Sequence, residues 1–137
     1  DLIYPVDWAA TGSAQVAGSI ATNAGGIRVL RYGLTRQWVR GLKVVLANGE
    51  LLELDGSVVK DNTGYDLTQL FVGSEGTLGL IVEATMGLTK PPAGRVVALC
   101  SLPSDTALLA LFDRLRGAKL ALSAFECFDA GCVQVDP

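Results

Sequence analysis

The chain has 137 residues, of which 50% are hydrophobic and 18% charged, which is typical of a packed globular domain and argues against a disordered chain. The net charge of −3 argues against a nucleic-acid partner, because no basic stripe is present to neutralise phosphates. The sequence contains no histidine, which excludes Ser-His-Asp and Cys-His catalysis within these residues and argues against a metal site in them.

In chain order, the first distinctive feature is a run of small residues at positions 18–26, Gly-Ser-Ile-Ala-Thr-Asn-Ala-Gly-Gly, which we call the first glycine loop. Apolar runs at 42–46 and 51–54 then flank Asn48-Gly49. Asn-Gly between two apolar runs predicts a β-hairpin with a type I′ turn, in which both central residues have positive φ.

The next predicted elements are a short helix and a strand. Residues 66–71 predict one or two helical turns, and residues 79–88, rich in Ile, Val and Thr, predict a buried strand. Pro91 and Pro92 end that strand, because proline lacks the donor that a strand ladder needs. We place a domain boundary there, which gives a first domain at 1–91 and a second at 92–137.

The second domain has the pattern of a β-α-β unit. Residues 95–102 and 122–128 predict strands, and Ser104 is a suitable N-cap for a helix between them. Gly117 is expected at the C-cap of that helix. Four apolar residues recur at helical spacing and predict one buried face: Leu108, Leu111, Phe112 and Leu115. No residue types or spacing in this domain indicate a reactive site.

The three cysteines, Cys100, Cys127 and Cys132, form no CxxC pair and are expected to be buried, reduced thiols of a cytosolic protein. The apolar runs are shorter than the roughly 20 residues that a membrane-spanning helix needs. Asp1 opens without a methionine and Pro137 follows an unfinished element, so we expect a piece of a longer protein.

Residues 73–79, Gly-Ser-Glu-Gly-Thr-Leu-Gly, form a second glycine loop just before a predicted strand. Glycines let the main chain approach a ligand, and successive backbone N–H groups form an anion cradle. Neither loop is a Walker or a Rossmann motif, since no Gly-Lys-Ser/Thr and no GxGxxG order is present. Two such loops predict a binder of a phosphorylated ligand; the alternative is a set of tight turns between buried elements.

Four motifs occur in the order and near-identical spacing of one family: the two glycine loops, Arg31-Tyr32-Gly33, and residues 60–67, Lys-Asp-Asn-Thr-Gly-Tyr-Asp-Leu. In them the chain resembles the FAD-linked oxidases of the vanillyl-alcohol oxidase (PCMH-type) superfamily. Within that superfamily it is most similar to the group of the glycolate oxidase flavin subunit, D-lactate dehydrogenase and D-2-hydroxyglutarate dehydrogenase. The resemblance covers residues 1 to about 91 and, more weakly, the remainder.

The resemblance implies an α+β fold: the second subdomain of a PCMH-type FAD-binding domain, an antiparallel sheet with flanking helices, and then the start of a ferredoxin-like C-terminal substrate domain. Non-covalent FAD would lie against residues 18–25 with its pyrophosphate and flavin, and against residues 73–79 with its ribityl-phosphate and adenine side. Segments 5–7 and 11–13 would add contacts. The cofactor-binding residues implied are Pro5, Gly12, Ser13, Gly18, Ser19, Ala21, Thr22, Asn23, Ala24, Gly25, Tyr32, Gly33, Gly73, Ser74, Glu75, Gly76, Thr77, Gly79, Ile81 and Val82.

The resemblance further implies an enzyme that oxidises a D-2-hydroxy acid, of the D-lactate, glycolate or D-2-hydroxyglutarate type, to the 2-oxo acid. No catalytic base is assigned, because the family's carboxylate-binding arginines and metal-binding histidines lie in the C-terminal domain, beyond Pro137; a divalent metal belongs there too. Electrons would leave to a quinone, an electron-transfer flavoprotein or an iron–sulfur subunit. A homo-oligomer is expected, in the cytoplasm or at a membrane through a partner subunit, or in the mitochondrion of a eukaryote.

Several other residues near the motifs have two interpretations. Arg28, Arg31 and Tyr32 either steer a carboxylate and flank the flavin or form a solvated arginine pair beside a core tyrosine. Glu75 is a general base by residue type, but a carboxylate among glycine N–H groups is better explained as an organiser of its loop or a ribityl partner.

Lys60, Asn62 and Tyr65 either line the cavity near the isoalloxazine ring, where a lysine would favour the reduced anionic flavin, or form a polar turn before a helix. Trp8 and Trp38 are expected in the core or at a subdomain interface rather than as stacking platforms.

Two other functions stay open. Alkylglycerone-phosphate synthase uses the same flavin domain for different chemistry, but its loop tends to carry Arg-Ala-Ser where this chain has Asn23-Ala24-Gly25, which disfavours it. The third interpretation is a non-catalytic α+β module without a cofactor, because half of an FAD site lacks the other wall of contacts and should bind weakly.

Overall fold

A computed structural model describes residues 1–54, 56 and 62–133. The strands are β1 (Val39–Val45), β2 (Leu51–Leu54) and β3 (Leu80–Met86). The helices are α1 (Val16–Ala21), α2 (Val29–Tyr32), a 3-10 helix (Thr35–Gln37), α3 (Thr68–Phe71), α4 (Asp105–Gly117) and α5 (Ala130–Val133).

The three strands form one antiparallel sheet in the order β2-β1-β3. The central strand is the most buried, and its Val44 pairs with Leu52 on one side and Ile81 on the other. The pairing of β1 with β3 contains two irregularities, which bend the sheet locally. The predicted antiparallel sheet with flanking helices is confirmed.

One face of this sheet carries the core. Leu42 and Val44 point to the same face because side chains alternate along a strand, and both are buried. Helices α1 and α3 cover that face. The buried cluster comprises Ile20, Val39, Leu42, Val44, Phe71, Val72 and Ile81. Each fully buried aliphatic or aromatic side chain contributes about 1.5–3 kcal/mol of transfer free energy, so this layer fixes α1 and α3 relative to the sheet.

The opposite face of the sheet is uncovered and carries charged side chains together with the exposed Leu51 and Leu80. Lys43 on β1 pairs with Glu53 on β2 and with Glu83 on β3. Its Nζ lies 3.3 Å from Glu83 Oε1, and both side chains are exposed enough that the ion pair contributes little to stability. The sheet is therefore amphipathic, with all its apolar packing on the helix side.

The segment before α1 is hydrogen-bonded to the segment after β3. Ile3 N donates to Thr89 O at 2.8 Å and Thr89 N donates to Ile3 O at 2.9 Å, which forms an isolated antiparallel bridge. Pro5 and Val6 follow this bridge and are buried. The bridge places residues 5–13 alongside the first glycine loop.

The second part of the chain contains α4, which begins as predicted at an N-cap Ser104 whose Oγ accepts from Ala107 N at 3.3 Å. The predicted apolar face is only half-buried and packs on residues 122–125, where the Phe112 and Phe125 rings lie 4.9 Å apart. Gly117 is the last helical residue, and Lys119, with φ of 54°, takes the left-handed position expected of a glycine.

The hairpin between β1 and β2 is confirmed, but its turn is not type I′. Gly49 has φ of 85°, whereas Asn48 is not among the residues with positive φ. Gly49 N donates to Leu46 O and Leu46 N donates to Glu50 O, each at 2.9 Å. This is a three-residue loop, a type I turn followed by a left-handed glycine, rather than a two-residue turn.

Three further predictions differ from the structure. Residues 95–102 and 122–128 form neither a helix nor a strand within the described chain, because no described segment pairs with them. Strand β3 is buried on one side only: Ile81 is buried, while Leu80 and Val82 are exposed, because no layer covers their face. A ferredoxin-like domain is not shown, and the division at residues 91 and 92 stays a prediction.

The cysteines also differ from expectation. Cys100, Cys127 and Cys132 are free thiols, but all three are exposed rather than buried. Cys100 lies among Val96, Val97 and Leu99, which are almost fully exposed, whereas Cys127 follows Phe125, whose ring packs on Phe112, and Cys132 lies in α5. The exposure of Cys100 therefore has the same cause as the missing strand at 95–102.

Candidate functional site

The structure joins the two glycine loops directly. Gly73 N donates to Ile20 O at 3.0 Å, and Glu75 N donates to Ala21 O at 2.9 Å. Both acceptors belong to the last turn of α1, whose carbonyls have no partner inside the helix. The second glycine loop thus satisfies the end of the helix that leads into the first, and the two loops form one continuous surface.

The first glycine loop is helical in its first four residues, which belong to α1, and the helix then ends in a defined motif. Asn23 N donates to Ile20 O at 3.0 Å and Ala24 N donates to Ser19 O at 2.8 Å, which is the pattern of a Schellman motif. Asn23 has φ of 49°, a left-handed conformation that asparagine tolerates better than most residues. The direction in which the chain leaves α1 is therefore fixed by Asn23.

The 3-10 helix that follows the first glycine loop is hydrogen-bonded to that loop. Thr35 is fully buried, and its N and Oγ1 both donate to Ala24 O, at 3.0 and 2.7 Å. Tyr4 contributes its hydroxyl, 3.1 Å from Thr35 Oγ1. Burial raises the pKa of Tyr4 above its ordinary value, and the hydrogen bond with Thr35 offsets part of that rise.

Arg36 connects the two loops through its side chain and its backbone. Its N donates to Asn23 Oδ1 at 3.0 Å, in the first glycine loop. Its guanidinium donates to Val72 O at 3.2 Å, just before the second glycine loop, and to Gln69 Oε1 at 3.3 Å on α3. Gln69 Nε2 donates back to Arg36 O at 3.2 Å.

Sequence reasoning missed Thr35, Arg36 and Gln69. Their contacts join residues separated by 11 to 36 positions, and no local sequence pattern predicts such pairs. The only available signal was the position of Thr35 and Arg36 between the two glycine loops, directly after Arg31-Tyr32-Gly33.

The predicted polar contact residues are largely engaged in local hydrogen bonds. Ser19 is buried, and its Oγ donates to Val16 O at 2.7 Å. The hydroxyls of Thr22 and Thr77 donate to Gly18 O at 2.9 Å and Ser74 O at 2.6 Å. Ser13 Oγ donates to Ala10 O at 3.3 Å. The side chains thus shape the loops, and their contact with a cofactor stays a prediction.

The glycines of the site divide into two kinds. A Cβ on Gly79 would lie 2.6 Å from Val44 Cγ1, so internal packing explains this glycine. A Cβ on Gly25 would meet only the end of the exposed Leu34 side chain, at 2.9 Å, and Gly12 and Gly18 would direct a Cβ into open space. Gly76 has open space as well, but its φ of 79° favours glycine. Gly18 is helical and exposed, so nothing described in this chain explains why it lacks a side chain. The backbone of α1 is open to solvent at Gly18, and the close approach of an FAD phosphate there stays a prediction.

The segments predicted to add contacts border the first glycine loop. Asp7, Trp8, Thr11 and Gly26 line an open cleft together with Ile27, Glu126 and Ala9. A Cβ on Gly26, whose φ is 104°, would overlap the Asp7 carbonyl, so the loop and this segment are in direct contact. Pro5 is buried beneath the segment, whereas Gly12 and Ser13 are exposed.

Arg28 and Arg31 have different surroundings. Arg28 forms an ion pair with Asp7 at 2.8 Å, with both side chains partly buried. Arg31 lies over the Tyr32 ring at 5.1 Å from its centre and reaches Ala121 O at 3.5 Å. The carbonyl of Tyr32 accepts from Trp38 Nε1 at 2.8 Å, and Gly33 has φ of 69°.

The remaining candidates are more dispersed. Tyr65 is 96% exposed and Asn62 is exposed; Lys60 lies outside the described residues. Ile81 faces the core and Val82 faces solvent, on the edge of the sheet that no other described strand occupies. Within the described ranges, no group of three or more Cys, Asp or Glu side chains is placed to hold a metal, and no helix is long and apolar enough to span a membrane.

Comparison with known proteins defines the class. Residues 1–55, which include the first glycine loop and the 3-10 helix, match the family described as "FAD binding domain". The resemblance to PCMH-type FAD-linked oxidases is thereby confirmed for this part of the chain, and the chain is homologous to proteins named as oxidoreductases of that group.

Two curated relatives are named D-2-hydroxyglutarate dehydrogenase: one from Xanthomonas citri pv. viticola is 58% identical over 127 residues, and the mitochondrial one from Rattus norvegicus is 48% identical over 136. The glycolate oxidase subunit GlcD of Bacillus subtilis is 41% identical over 128 residues. These matches cover 93%, 98% and 93% of this chain, which spans only 27%, 25% and 27% of the relatives.

Two solved structures share the fold, both of proteins titled alkyldihydroxyacetonephosphate synthase. One has a TM-score of 0.56 and 27% identity over 68% of this chain and 16% of its own. The other has a TM-score of 0.58 and 23% identity over 76% of this chain and 18% of its own. The fold of an FAD-binding domain of this type is thus confirmed.

Proposed function

We propose that the joined glycine loops bind FAD and that the whole protein is a flavin-dependent oxidoreductase that converts a D-2-hydroxy acid, in the first place D-2-hydroxyglutarate, to the 2-oxo acid. The observation that carries the proposal is the 58% identity to a protein named D-2-hydroxyglutarate dehydrogenase, over 93% of this chain. The chain spans about a quarter of that relative, so the activity concerns the full-length protein.

Two features of the site support FAD. The backbone at Gly18 is open to solvent and lies in the helix that ends at the junction of the two loops. The junction itself is rigid, because each of the last two carbonyls of α1, on Ile20 and Ala21, accepts from the second glycine loop. A preformed surface loses little conformational entropy when a ligand binds.

The cofactor would supply the hydride acceptor, and this chain would bind and orient it. Residues 18–25 would face the pyrophosphate and flavin, and residues 73–79 with the free edge of β3 at Ile81 and Val82 would face the ribityl-phosphate and adenine side. No residue of this chain is assigned as the base. The electron acceptor (a quinone, an electron-transfer flavoprotein or an iron–sulfur subunit) and a divalent metal would belong to other parts of the protein or to its partners.

The test uses the full-length protein purified without added cofactor. We expect flavin absorption bands and reduction of an artificial electron acceptor with D-2-hydroxyglutarate, D-lactate or glycolate; L-2-hydroxyglutarate is the matched stereochemical control. A colourless protein that does not bind added FAD would overturn the proposal that FAD is its cofactor. A yellow protein that turns over none of the D-acids overturns the reaction and leaves the cofactor standing.

The structural similarity to alkyldihydroxyacetonephosphate synthase favours a second candidate, an ether-forming flavoenzyme of that kind. The sequence Asn23-Ala24-Gly25 disfavours it, because the equivalent loop of that enzyme tends to carry Arg-Ala-Ser. A yellow full-length protein that is inert to every 2-hydroxy acid but accepts an acylated dihydroxyacetone phosphate would establish this alternative.

A further inference from the structure

We infer that Arg36 is a positioning residue that sets the spacing of the two glycine loops and thereby the affinity for FAD. The inference rests on the proposed FAD site and adds a residue that does not itself have to touch the cofactor. It begins from the contacts of Arg36, which reach the first glycine loop at Asn23 and the chain entering the second at Val72.

The side-chain contacts of Arg36 have the geometry of a fork. One terminal nitrogen donates to Gln69 Oε1 at 3.3 Å and the other to Val72 O at 3.2 Å. A planar guanidinium holds two acceptors in fixed directions, which a lysine ammonium on a flexible stem does not. The fork therefore fixes α3, through Gln69, and the residue that follows it, Val72, relative to the 3-10 helix.

The position of Val72 determines the second glycine loop. Gly73 follows it directly and donates its N–H to Ile20 O, and a Cβ placed on Gly73 would lie 3.8 Å from the guanidinium and 3.4 Å from Asn23 Cβ. The backbone of Arg36 meanwhile orients Asn23 through its side-chain oxygen. Arg36 thus orients Asn23, in the first glycine loop, and Val72, the residue just before the second.

The acceptors of the guanidinium that the structure describes are neutral, so an alanine at this position leaves no unpaired carboxylate among them. The substitution removes the side-chain contacts of Arg36 with Gln69 and Val72, while its backbone contact with Asn23 and the side chains of the core cluster stay in place. A ligand that contacts both loops should then lose more binding free energy than the fold loses stability.

The experiment compares apoprotein variants of the full-length protein. FAD affinity is measured by flavin fluorescence titration, folding by thermal melting without FAD, and the geometry of the bound flavin by visible circular dichroism. R36A is expected to weaken FAD binding by about tenfold or more, the equivalent of losing one or two hydrogen bonds to a charged group, and to alter the flavin dichroism. R36K, which can reach one acceptor at a time, should lie between R36A and the unsubstituted protein.

The control is R114A, which removes an exposed arginine from α4 and leaves both loops unchanged. FAD affinity and dichroism in R36A equal to those in R114A would overturn the inference. A fall in FAD affinity no larger than the loss of apoprotein stability, with unchanged dichroism, would also overturn it.

If R36A does not fold, R36K and Q69A decide by the same measurements, since Q69A removes one arm of the fork and keeps the arginine. Unchanged FAD affinity in both would overturn the inference. Failure of the unsubstituted protein to bind FAD is a separate outcome, because it overturns the proposed cofactor itself and is seen before any variant is made.

Discussion

At the scale of single residues, the glycines of the site differ in whether internal packing explains the missing side chain. Gly79 lacks a side chain because β1 passes too close, at Val44 and Val45. Gly18 has open space around it and a helical backbone, so the described chain would accommodate an alanine there. The sequence shows the two as the same residue type in similar loops, and only the surroundings distinguish them.

Substitution of these two glycines by alanine should give opposite results. G79A is expected to destabilise the protein by about 1–3 kcal/mol, because its Cβ overpacks against Val44. G18A should leave stability unchanged or raise it by about 0.5–1 kcal/mol, since alanine favours helix, yet weaken FAD binding. Urea denaturation and FAD titration measure the two effects. G18A with undiminished FAD affinity would remove the main structural support for a phosphate near α1.

Tyr4 gives a prediction for alkaline pH. Its pKa is raised, first by burial, with the Thr35 hydrogen bond acting in the opposite direction. As pH rises past the ordinary value, near 10, the unfolded chain loses the tyrosine proton while the folded protein keeps it, so stability falls. We expect the free energy of unfolding to decline more steeply above about pH 10 in the native protein than in Y4F. Parallel pH profiles of the two proteins would contradict this.

At the scale of elements, the hairpin shows what a sequence pattern settles and what it leaves open. Alternating apolar runs around Asn48-Gly49 predicted the pairing of β1 with β2, because the apolar face has to be buried. The turn type depends on the length of the loop, which is three residues here instead of the two of a type I′ turn. Leu46 ends up facing Glu50, and Asn48 spans the loop with Nδ2 2.7 Å from Glu50 Oε2 and Oδ1 3.0 Å from Glu50 N.

The observed turn predicts that N48G destabilises the hairpin. A type I′ turn would accept glycine at that position without loss, whereas here Asn48 lacks positive φ and its side chain makes two hydrogen bonds. We expect a cost of about 1–2 kcal/mol, from backbone entropy and the lost hydrogen bonds. N48A removes the same two hydrogen bonds and keeps the β-carbon, so it is the matched control for the backbone contribution. An N48G protein that melts like the native one would restore the type I′ assignment.

The difference between local and long-range contacts also explains which other elements could be predicted from the sequence. Helix α4 and its N-cap Ser104 were predictable because local spacing and a local hydrogen bond define them. Residues 95–102 were predicted as a strand from composition alone, but a strand exists only with a partner, and none is described. The glycine loops were predictable as motifs, whereas Thr35 and Arg36, which hold them, depend on contacts distant in sequence.

At the scale of the whole molecule, the described chain is unevenly packed. One face of the sheet is covered by α1 and α3. In contrast, Val96, Val97 and Leu99 are 95%, 96% and 85% exposed, in a segment that has no strand partner in the described chain. Extended apolar backbone without a strand partner is a template for pairing with another chain. The unpaired edge of β3, with Leu80 and Val82 exposed beside it, adds a second such surface.

The 137-residue chain alone should therefore associate as its concentration rises, which sedimentation velocity measures. V97K should shift it toward the monomer, because a lysine on an extended edge opposes pairing. T106K places the same charge on an exposed position of α4 and should leave association unchanged. If the isolated chain is monomeric and melts in one sharp transition, the exposed segment is covered by the chain itself. If V97K and T106K act equally, net charge rather than strand pairing governs the association.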